Sequence, residues 1–463
     1  IAPLEARWVA LKRNVIATVI GRVVAELKRE YRDKVQRLMP EVEEEYEYPF
    51  NVNIKARPSL LEETLREKGF EVPEPPVEVP KSTEVTFSGF IDGVQRVVKV
   101  CVFPEYGTPF YVAQICSGAL VREGKRLSPP QNTSPRMKIL FVAPFKGLEE
   151  EYPGIREIVN QSIEGGTKRL IEGEVRDVAE DQDRDFLKKF VNGEATFVVC
   201  DITNPGIERG DKFGYEGAEG DEREGGEKSL TGDQLYDVGY VSSRARGRVA
   251  TLRQILEVAT LSELRGELGE EKWILVDGPL IFPEKWARKL NRRLNVDVSV
   301  TLKNVVGYVK TLRAKPDSRL LKEAIQLREG YRGGVFTLEE EVEGIERGYE
   351  LRYGVPHISW YLRIRNPSGQ ETASWTQGLV RIDTYVSTYG FSKIKKLKEE
   401  GGIEVVETIN NISGAVLKER YPLPRAWYRR DVMITPIEEV ENFLKGMLYD
   451  DLEIRSFTRM PYE

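Results

Sequence analysis

The stretch WILVDGPLIFP, residues 273–283, contains a short apolar run that ends in an acid. Residues 273–276 are bulky and apolar, and Asp277 is followed by Gly278 and Pro279, two residues that favour turns. This pattern predicts a short buried strand with Asp277 at its end. From the stretch alone, the more frequent role for Asp277 is that of a turn residue that accepts hydrogen bonds from the next backbone amides. The alternative is a carboxylate used in chemistry at the edge of a sheet.

The composition predicts a soluble globular protein. The residues are 40% hydrophobic and 31% charged. A length of 463 residues suits two to four domains. The 69 basic and 75 acidic residues give a net charge of −6. No overall positive field therefore attracts a polyanion, and any nucleic-acid contact must come from local patches. The many Glu, Lys and Arg residues, with few Met or Cys, are typical of thermophiles.

Cysteine and histidine usage narrows the chemistry. Cys101, Cys116 and Cys200 stand in apolar contexts without CxxC spacing, which predicts buried thiols in a reducing cytoplasm. The chain has one histidine, His357, which excludes a zinc site made of several histidines. It also leaves a single candidate base for a Ser-His-Asp or Cys-His catalytic site. We expect a structural role for it. The apolar run 15–21 is too short to span a bilayer, so no membrane association is expected.

The N-terminal part is predicted to be helical. Residues 4–38 carry an apolar face within a helical segment, 1–71. That face either packs on the core of its own chain or serves as an oligomerisation or partner helix. The proline-rich stretch 72–80 is predicted to be a stiff connector.

The remaining domain, 81–463, is predicted to be α/β, a mixed β-sheet flanked by helices. Residues 85–103 are predicted as strand, turn and strand. A large inserted subregion at about 104–240 contains a glycine-rich acidic segment, 204–229, typical of a loop or linker. Further strands are predicted at 138–145, 195–202, 273–276, 298–312, 358–365 and 378–387, and further helices at 242–265 and 440–448.

Three acids are distinguished by their apolar surroundings. Asp92 and Asp277 each follow an apolar run and precede a glycine, and Glu257 lies among apolar residues of a predicted helix. Each also has a plain role, as a turn residue or a helix-surface acid. A carboxylate in an apolar setting is costly without a cation. Three carboxylates brought together would repel one another unless they shared a divalent metal, the usual arrangement for phosphodiester hydrolysis.

Seven short blocks lie in order along residues 85–450. They are IDGVQRV (91–97), LRQILEVATL (252–261), ILVDGPL (274–280), VVGYVKT (305–311), ISWYLRI (358–364), GLVRID (378–383) and PRAWYRRDVMITPIEEVENFL (424–444). Their order and spacing resemble the NurA nucleases, most closely a bacterial branch with DGV-R and DGPL motifs. The resemblance implies an RNase H-like core and manganese- or magnesium-dependent cleavage of DNA. It also implies a homodimer that works with a hexameric HerA-type translocase in DNA-end processing or repair.

The same resemblance assigns roles to individual residues. Asp92 corresponds to the first aspartate of the family, Glu257 to the glutamate of an R-x-x-x-E helix, and Asp277 to the second aspartate. All three are expected to bind Mn²⁺ or Mg²⁺. Lys310 matches a lysine expected to face the scissile phosphate, although a lysine among apolar strand residues is often a snorkelling edge residue.

Near the C-terminus the chain departs from the family pattern. Tyr421, before a proline, matches a tyrosine of the family's site, but the histidine expected after it is absent. Asp431 stands about where that histidine would be and is a candidate fourth acid and metal ligand. The missing histidine motivates an alternative function, a catalytically inactive NurA-like DNA-binding or scaffold subunit of a motor ATPase complex.

Local basic patches are the candidate DNA contacts. Most basic runs are solvated faces, but residues 425–430 interleave arginines with Trp427 and Tyr428, which suits stacking combined with phosphate contact. The residues predicted to bind DNA are Arg96, Arg253, Arg425, Trp427, Arg429 and Arg430.

Overall fold

The structure is a computed structural model. It describes residues 3–31, 36–37, 54–58, 74–168, 179–180, 186–191, 196–203, 232–280, 301–312, 315–316, 318–342, 345–348, 357–366, 376–385, 402–421 and 432–458. The helices are α1 (Pro3–Tyr31), α2 (Phe145–Leu148), α3 (Ile155–Lys168), α4 (Phe186–Val191), α5 (Gly232–Leu235), α6 (Val238–Leu268), α7 (Ser318–Gln326), α8 (Gly402–Glu419), α9 (Thr435–Lys445) and α10 (Asp451–Phe457). The strands are β1 (Gln36–Arg37), β2 (Ile54–Pro58), β3 (Val77–Glu78), β4 (Phe87–Phe103), β5 (Thr108–Glu123), β6 (Arg126–Ser128), β7 (Arg136–Ala143), β8 (Ala179–Glu180), β9 (Phe197–Asp201), β10 (Trp273–Asp277), β11 (Val305–Val309), β12 (Lys315–Pro316), β13 (Tyr331–Arg332), β14 (Phe336–Val342), β15 (Ile345–Gly348), β16 (His357–Arg363) and β17 (Leu379–Tyr385).

A large mixed sheet forms the centre of the molecule. Strands β7, β5 and β4 are antiparallel neighbours, and β10 and β11 continue the sheet parallel to β4. Strand β9 extends the β7 side in parallel, and the antiparallel strands β17 and β16 extend the β11 side. The α/β class expected from the sequence is therefore confirmed.

Strand β4 is continuous, which corrects the prediction of strand, turn and strand for residues 85–103. Asp92 pairs with Gly118 and Gly93 pairs with Ser117 inside an antiparallel ladder with β5. The chain turns later, at 104–107. The glycine after Asp92 is typical of a turn in the sequence. In the structure, however, Gly93 pairs with Ser117 in the middle of a long hairpin.

Most other predicted elements are present with shifted ends. The strands predicted at 138–145, 195–202, 273–276, 358–365 and 378–387 correspond to β7, β9, β10, β16 and β17, and the helices at 242–265 and 440–448 to α6 and α9. The strand predicted at 298–312 is too long, because the described strand is limited to β11. Strands β5, β7 and β9 fall within the predicted insertion at about 104–240 and belong to the sheet. The domain boundaries stay a prediction.

Helices cover both faces of the central strands. Ile255 of α6 lies in one hydrophobic core with Ile91 of β4, and Leu444 of α9 lies in another core with Phe90. Because side chains alternate along a strand, the adjacent residues Phe90 and Ile91 point to opposite sides of the sheet. We call these sides the α6 face and the α9 face.

Helix α1 packs inside its own chain. Val19, Val23 and Leu27 are fully buried in a core that also contains Phe103 and Ile163. Of the two alternatives for this apolar face, packing on the core of its own chain is therefore confirmed for residues 15–31. The described helix runs to Tyr31, and residues 36–37 form β1, so the helix predicted to reach residue 38 is too long.

The proline-rich connector is attached to the sheet, and the three cysteines are buried as predicted. The described part of the proline-rich connector contains β3, which pairs with β13 and so attaches this stretch to the sheet. Cys101, Cys116 and Cys200 are free thiols and are buried. Among the described helices, none is long and apolar enough to cross a membrane.

Candidate active site

Asp92 and Asp277 lie side by side on neighbouring parallel strands. Val276 of β10 pairs with Ile91 of β4, so the next residue of each strand is an aspartate beside the other. Ile91 and Val276 both belong to the core on the α6 face. The alternation of side chains therefore puts both aspartates on the α9 face.

Asp92 is the more deeply buried of the two. It is 4% exposed, and its Oδ1 accepts a hydrogen bond of 2.7 Å from the amide of Gly93. Burial raises the pKa of Asp92 well above its usual range, and the negative charge of Asp277 raises it further. Glu441 and Glu257 add to this effect, and Lys310 opposes it. The acids are therefore close enough to destabilise one another's charged forms.

Lys310 is the counter-ion of Asp277. Its Nζ lies 2.8 Å from Asp277 Oδ2. Lys310 follows β11 by one residue, and Tyr308 of that strand pairs with Asp277. Burial lowers the pKa of Lys310, but the charges of Asp277 and Asp92 outweigh this and raise it above its ordinary value. Lys310 therefore stays protonated between the aspartates, and its contact with a phosphate stays a prediction.

The first backbone amides after Asp277 donate their hydrogen bonds to acceptors other than its carboxylate. The amide of Gly278 donates to the carbonyl of Tyr308 at 2.9 Å, and the amide of Leu280 donates to Asp383 Oδ2 at 3.3 Å. Pro279, between them, has no amide hydrogen to donate. At the first three positions after Asp277, other groups therefore accept the hydrogen bonds that a turn aspartate would accept.

Glu257 approaches β4 from the other side. A Cβ built on Gly93 would overlap Glu257 Oε1, so the glycine allows this carboxylate to lie against the backbone of the strand. Arg253, one helical turn earlier, donates from Nη1 to the carbonyl of Gly93 at 2.6 Å, and its Nε lies 3.4 Å from Glu257 Oε1. Burial raises the pKa of Glu257 to about 7, Arg253 lowers it and Asp277 raises it. Glu257 therefore lies on the α6 face, within electrostatic reach of the aspartates.

The donor chemistry fits a hard divalent cation, but the acids do not converge. Oxygen ligands that are buried and repel one another are what Mg²⁺ or Mn²⁺ would stabilise. Within the described ranges, no group of three or more Asp, Glu, His or Cys side chains is arranged to hold a metal ion. Glu257 lies against Gly93 on the α6 face, whereas Asp92 and Asp277 lie on the α9 face. Asp431 lies outside the described residues.

Helix α9 contributes an acid that the sequence analysis did not identify. Glu441 of α9 raises the pKa of both Asp92 and Lys310, which belong to different strands. Its only sequence signal is its position in a helix whose core face includes Val440 and Leu444. The neighbouring acids of the same helix carry a similar signal.

The segment before α9 is fastened to the site. The hydroxyl of Tyr308 donates to the carbonyl of Val432 at 2.6 Å, and Lys310 Nζ lies 3.4 Å from Met433 Sδ. The hydroxyl of Tyr421 donates to Glu438 of α9. The structure thus places Tyr421 against α9, the helix that carries Glu441.

The predicted DNA contacts are only partly described. Arg96 donates to the carbonyl of Tyr449, and its Nε lies 3.3 Å from Asp451 Oδ1. Arg253 is held by Gly93 and Glu257, as given above. Both arginines are therefore engaged within the chain. Arg425, Trp427, Arg429 and Arg430 lie outside the described residues.

Comparisons with known proteins give a structural match and no match in sequence. No protein-family model matches the chain, and no curated protein matches it in sequence. Among solved structures, the crystal structure of the NurA nuclease from Sulfolobus solfataricus matches with 12% sequence identity over 84% of this chain and 90% of that chain, at a TM-score of 0.30. A TM-score of this size does not establish a shared fold.

Proposed function

We propose that this chain is a metal-dependent DNA nuclease. The observation that carries the proposal is the pair of aspartates, Asp92 and Asp277, adjacent on parallel strands and accompanied by Lys310. A buried aspartate and a partly buried aspartate side by side are costly to maintain for stability alone, which favours a functional reason for them. Such sites are also where perturbed pKa values cluster in enzymes.

We further propose that the central strands form an RNase H-like core. Strands β4, β5 and β7 form an antiparallel unit, and the long helix α6 precedes two strands, β10 and β11, parallel to β4. That strand order is the one expected of an RNase H-like sheet. It supports the roles proposed for Asp92 on β4, Glu257 on α6 and Asp277 at the end of β10.

In this proposal Asp92 and Asp277 hold Mn²⁺ or Mg²⁺, with Glu257 and Asp431 as further ligands. The Glu257 carboxylate, which lies against Gly93 on the α6 face, would have to move toward the aspartates to take part. The bound ion would supply Lewis acidity and charge neutralisation at the phosphate. Lys310 would orient a phosphate oxygen through its ammonium group, which the aspartates keep protonated. Tyr421 is proposed to act beside α9. The residues proposed to hold the DNA strand are Arg96, Arg253, Arg425, Trp427, Arg429 and Arg430.

The test compares Asp277→Asn with the wild type on end-labelled single- and double-stranded DNA, with and without manganese. The amide keeps the shape of the side chain but loses the charge that attracts a hard cation. We expect the cleavage rate of the variant to fall by orders of magnitude. Asp237→Asn is the matched control, because Asp237 is an exposed N-cap of α6 and asparagine caps helices equally well.

Two results would reject the nuclease. One is a wild-type protein that does not cleave DNA in manganese. The other is an Asp277→Asn variant that cleaves as fast as the wild type and the Asp237→Asn control. Circular dichroism on each variant separates loss of activity from loss of fold.

The second candidate is a catalytically inactive DNA-binding or scaffold subunit. It is favoured by the ion pair of Lys310 with Asp277, which already neutralises one acid. It is also favoured by the absence, among the described residues, of a group of three or more acids arranged to hold a metal ion. This candidate requires DNA binding in EDTA without cleavage in manganese, and equal binding by the wild type and Asp277→Asn. Gel-shift and cleavage assays on the same samples distinguish the two functions.

The partners are proposed from the sequence blocks alone. They are a second copy of the chain, forming a homodimer, and a HerA-type hexameric translocase, with which the nuclease would process DNA ends. Light scattering on the purified chain measures the first. Co-elution with a hexameric translocase measures the second.

A further inference from the structure

We propose that an exposed tyrosine surface at the turn between β4 and β5 is a docking site for an arginine-bearing segment of a partner protein. The surface is formed by Tyr106, Tyr236 and Val238, and we call it the tyrosine patch. It lies beyond the end of β4, about 35 Å along that strand from Asp92 at about 3.3 Å per residue. The inference is therefore independent of the proposed nuclease function.

Large hydrophobic side chains that face solvent are concentrated at this place. Tyr236 is 59% exposed, Val238 38% and Tyr240 37%. They are three of the six large hydrophobic residues exposed in the described part of the chain, and they fall within the stretch 236–240. Single exposed hydrophobic residues are normal in a folded protein, whereas a cluster of them indicates a surface used for binding.

Side-chain contacts join two distant parts of the chain into the tyrosine patch. The ring centroids of Tyr106 and Tyr236 are 4.9 Å apart, and the rings are tilted by 51°. A Cβ built on Gly107 would lie 3.5 Å from Val238 Cγ2, so the turn of the hairpin meets the start of α6. Because more than half of Tyr236 is exposed, the ring pair remains open to a third planar group.

The backbone beneath the patch is fixed by interactions within the chain. Thr108 Oγ1 donates to the carbonyl of Leu235 at 2.7 Å, and a Cβ built on Gly147 of α2 would lie 2.9 Å from Leu235 Cδ2. Asp237 caps α6 by accepting a hydrogen bond of 2.9 Å from the amide of Tyr240. The tyrosines are therefore presented by a pre-ordered surface, which lowers the entropy cost of binding.

The segments around the patch are acidic. Residues 104–107, 145–152 and 235–240 contain five acids and one base, Lys146. The acids are Glu105, Glu149, Glu150, Glu151 and Asp237. An excess of negative charge repels a phosphate backbone and attracts cationic groups. The charge therefore favours a basic protein segment over DNA as the occupant.

Packing holds Glu150 and Glu151 close to the patch. Both are exposed and lie between α2, which contacts the segment under the patch, and Tyr152. The ring centroid of Tyr152 is 4.7 Å from that of Phe103, the last residue of β4. Partial burial raises the pKa of Tyr106, and the charges of Glu151 and Glu150 raise it further. The two carboxylates thus border the exposed rings.

Arginine suits this surface better than lysine does. Its flat guanidinium group stacks on an aromatic ring and can at the same time donate paired hydrogen bonds to a carboxylate. The ammonium group of lysine is a strongly hydrated point charge without a flat face. The combination of exposed tyrosine rings and bordering carboxylates therefore selects arginine side chains.

The experiment measures binding of a fluorescein-labelled nonapeptide of alternating glycine and arginine to the full chain, by fluorescence anisotropy at physiological ionic strength. We expect this peptide to bind more tightly than its lysine analogue, and the glutamine analogue not to bind. Tyr236→Ser should raise the Kd by about two- to fivefold, the effect of losing one exposed cation–π contact. Tyr236→Phe keeps the ring and should bind like the wild type. Ile325→Ser, at an exposed hydrophobic position of α7, is the matched control and should not change the Kd.

A pair of double variants tests the role of the charge. Glu150→Gln combined with Glu151→Gln should raise the Kd for the arginine peptide by about two- to tenfold, the effect of losing two exposed ion pairs. Glu270→Gln combined with Glu271→Gln is the matched control, since these are also neighbouring exposed acids and their loss changes the net charge equally. The control should bind the peptide like the wild type.

Each contrary outcome overturns the inference. Equal binding of the arginine and glutamine peptides, or equal weakening by Tyr236→Ser and Ile325→Ser, excludes the patch as the docking site. Equal weakening by the two double variants would show a general attraction to an acidic chain. If Tyr236→Ser lowers the mass in light scattering, the patch is a contact between copies. If it weakens binding of single-stranded DNA but not of the peptide, the patch contacts nucleic acid. Cleavage by Asp277→Asn tests the nuclease separately.

Discussion

Glu257 makes the stability of the metal-free protein depend on pH. The pKa of its carboxyl rises from 4.5 to about 7 because the side chain is buried. Between these pH values the folded chain binds more protons at this position than the unfolded chain does. The free energy of unfolding therefore falls as pH rises from about 4.5 to about 7 and stays reduced above that range.

The prediction is that Glu257→Gln has a flatter pH profile than the wild type. A shift of this size corresponds to about 3 kcal/mol, so the loss of stability between pH 5 and pH 8 should shrink by up to that amount. The measurement is urea denaturation in EDTA at both pH values. Glu263→Gln, on an exposed part of the same helix, is the control. Equal pH dependence of the wild type and Glu257→Gln would contradict the prediction.

Single residues differ in how far the sequence reveals them. Asp277 is identifiable because a compact apolar run ends on it, and the buried strand β10 follows directly from that run. Glu441 is not identifiable, because its proximity to Asp92 depends on the packing of Leu444 against Gly118, a contact between distant parts of the chain. An acid on a helix shows which face is polar but not which strand that face approaches.

At the scale of the element, β4 joins the two faces of the site. Gly93 has no side chain, so Glu257 can lie against β4 on the α6 face. Asp92, the residue before Gly93, points to the α9 face. The sequence pattern Asp-Gly is typical of a turn, but here long-range pairing with β5 overrides that local preference. This is why the strand–turn–strand prediction failed.

The corresponding prediction concerns Gly93→Ala. The new methyl group would overlap Glu257 Oε1 and force the carboxylate, and with it Arg253, away from the strand. We expect a loss of about 1–3 kcal/mol of stability from overpacking. Cleavage should fall strongly. Gly266→Ala is the matched control, since a Cβ there meets no atom and alanine favours the helix. If Gly93→Ala folds and cleaves like Gly266→Ala, the close approach of Glu257 has no role.

At the scale of the whole molecule, α1 belongs to the core and does not form a free interface in its second half. It packs along α3, with Val23 and Leu27 fully buried. A helical apolar face in a sequence predicts burial but does not say whether the partner is the same chain or another one. Similarly, alternating strands and helices predict the α/β class, whereas the order of strands depends on pairings between distant residues.

The whole-molecule prediction is that Leu27→Ala destabilises the fold without changing the oligomeric state. Loss of a buried leucine side chain should lower the free energy of unfolding by about 2–5 kcal/mol. Denaturation measures the first part, and light scattering at micromolar concentration measures the second. A change of mass at unchanged stability would instead place this part of α1 at an interface between copies.

The length of β4 has a consequence for how the molecule opens. Its residues enter three of the hydrophobic cores in the described chain, through Ile91, Phe90 and Val98. We expect none of these three cores to unfold separately, because each contains residues of the same strand. Local fluctuations are therefore confined to the peripheral elements, and the centre behaves as a single cooperative unit. The aspartate pair is thus carried by the part of the chain that is the last to lose its protection against hydrogen exchange.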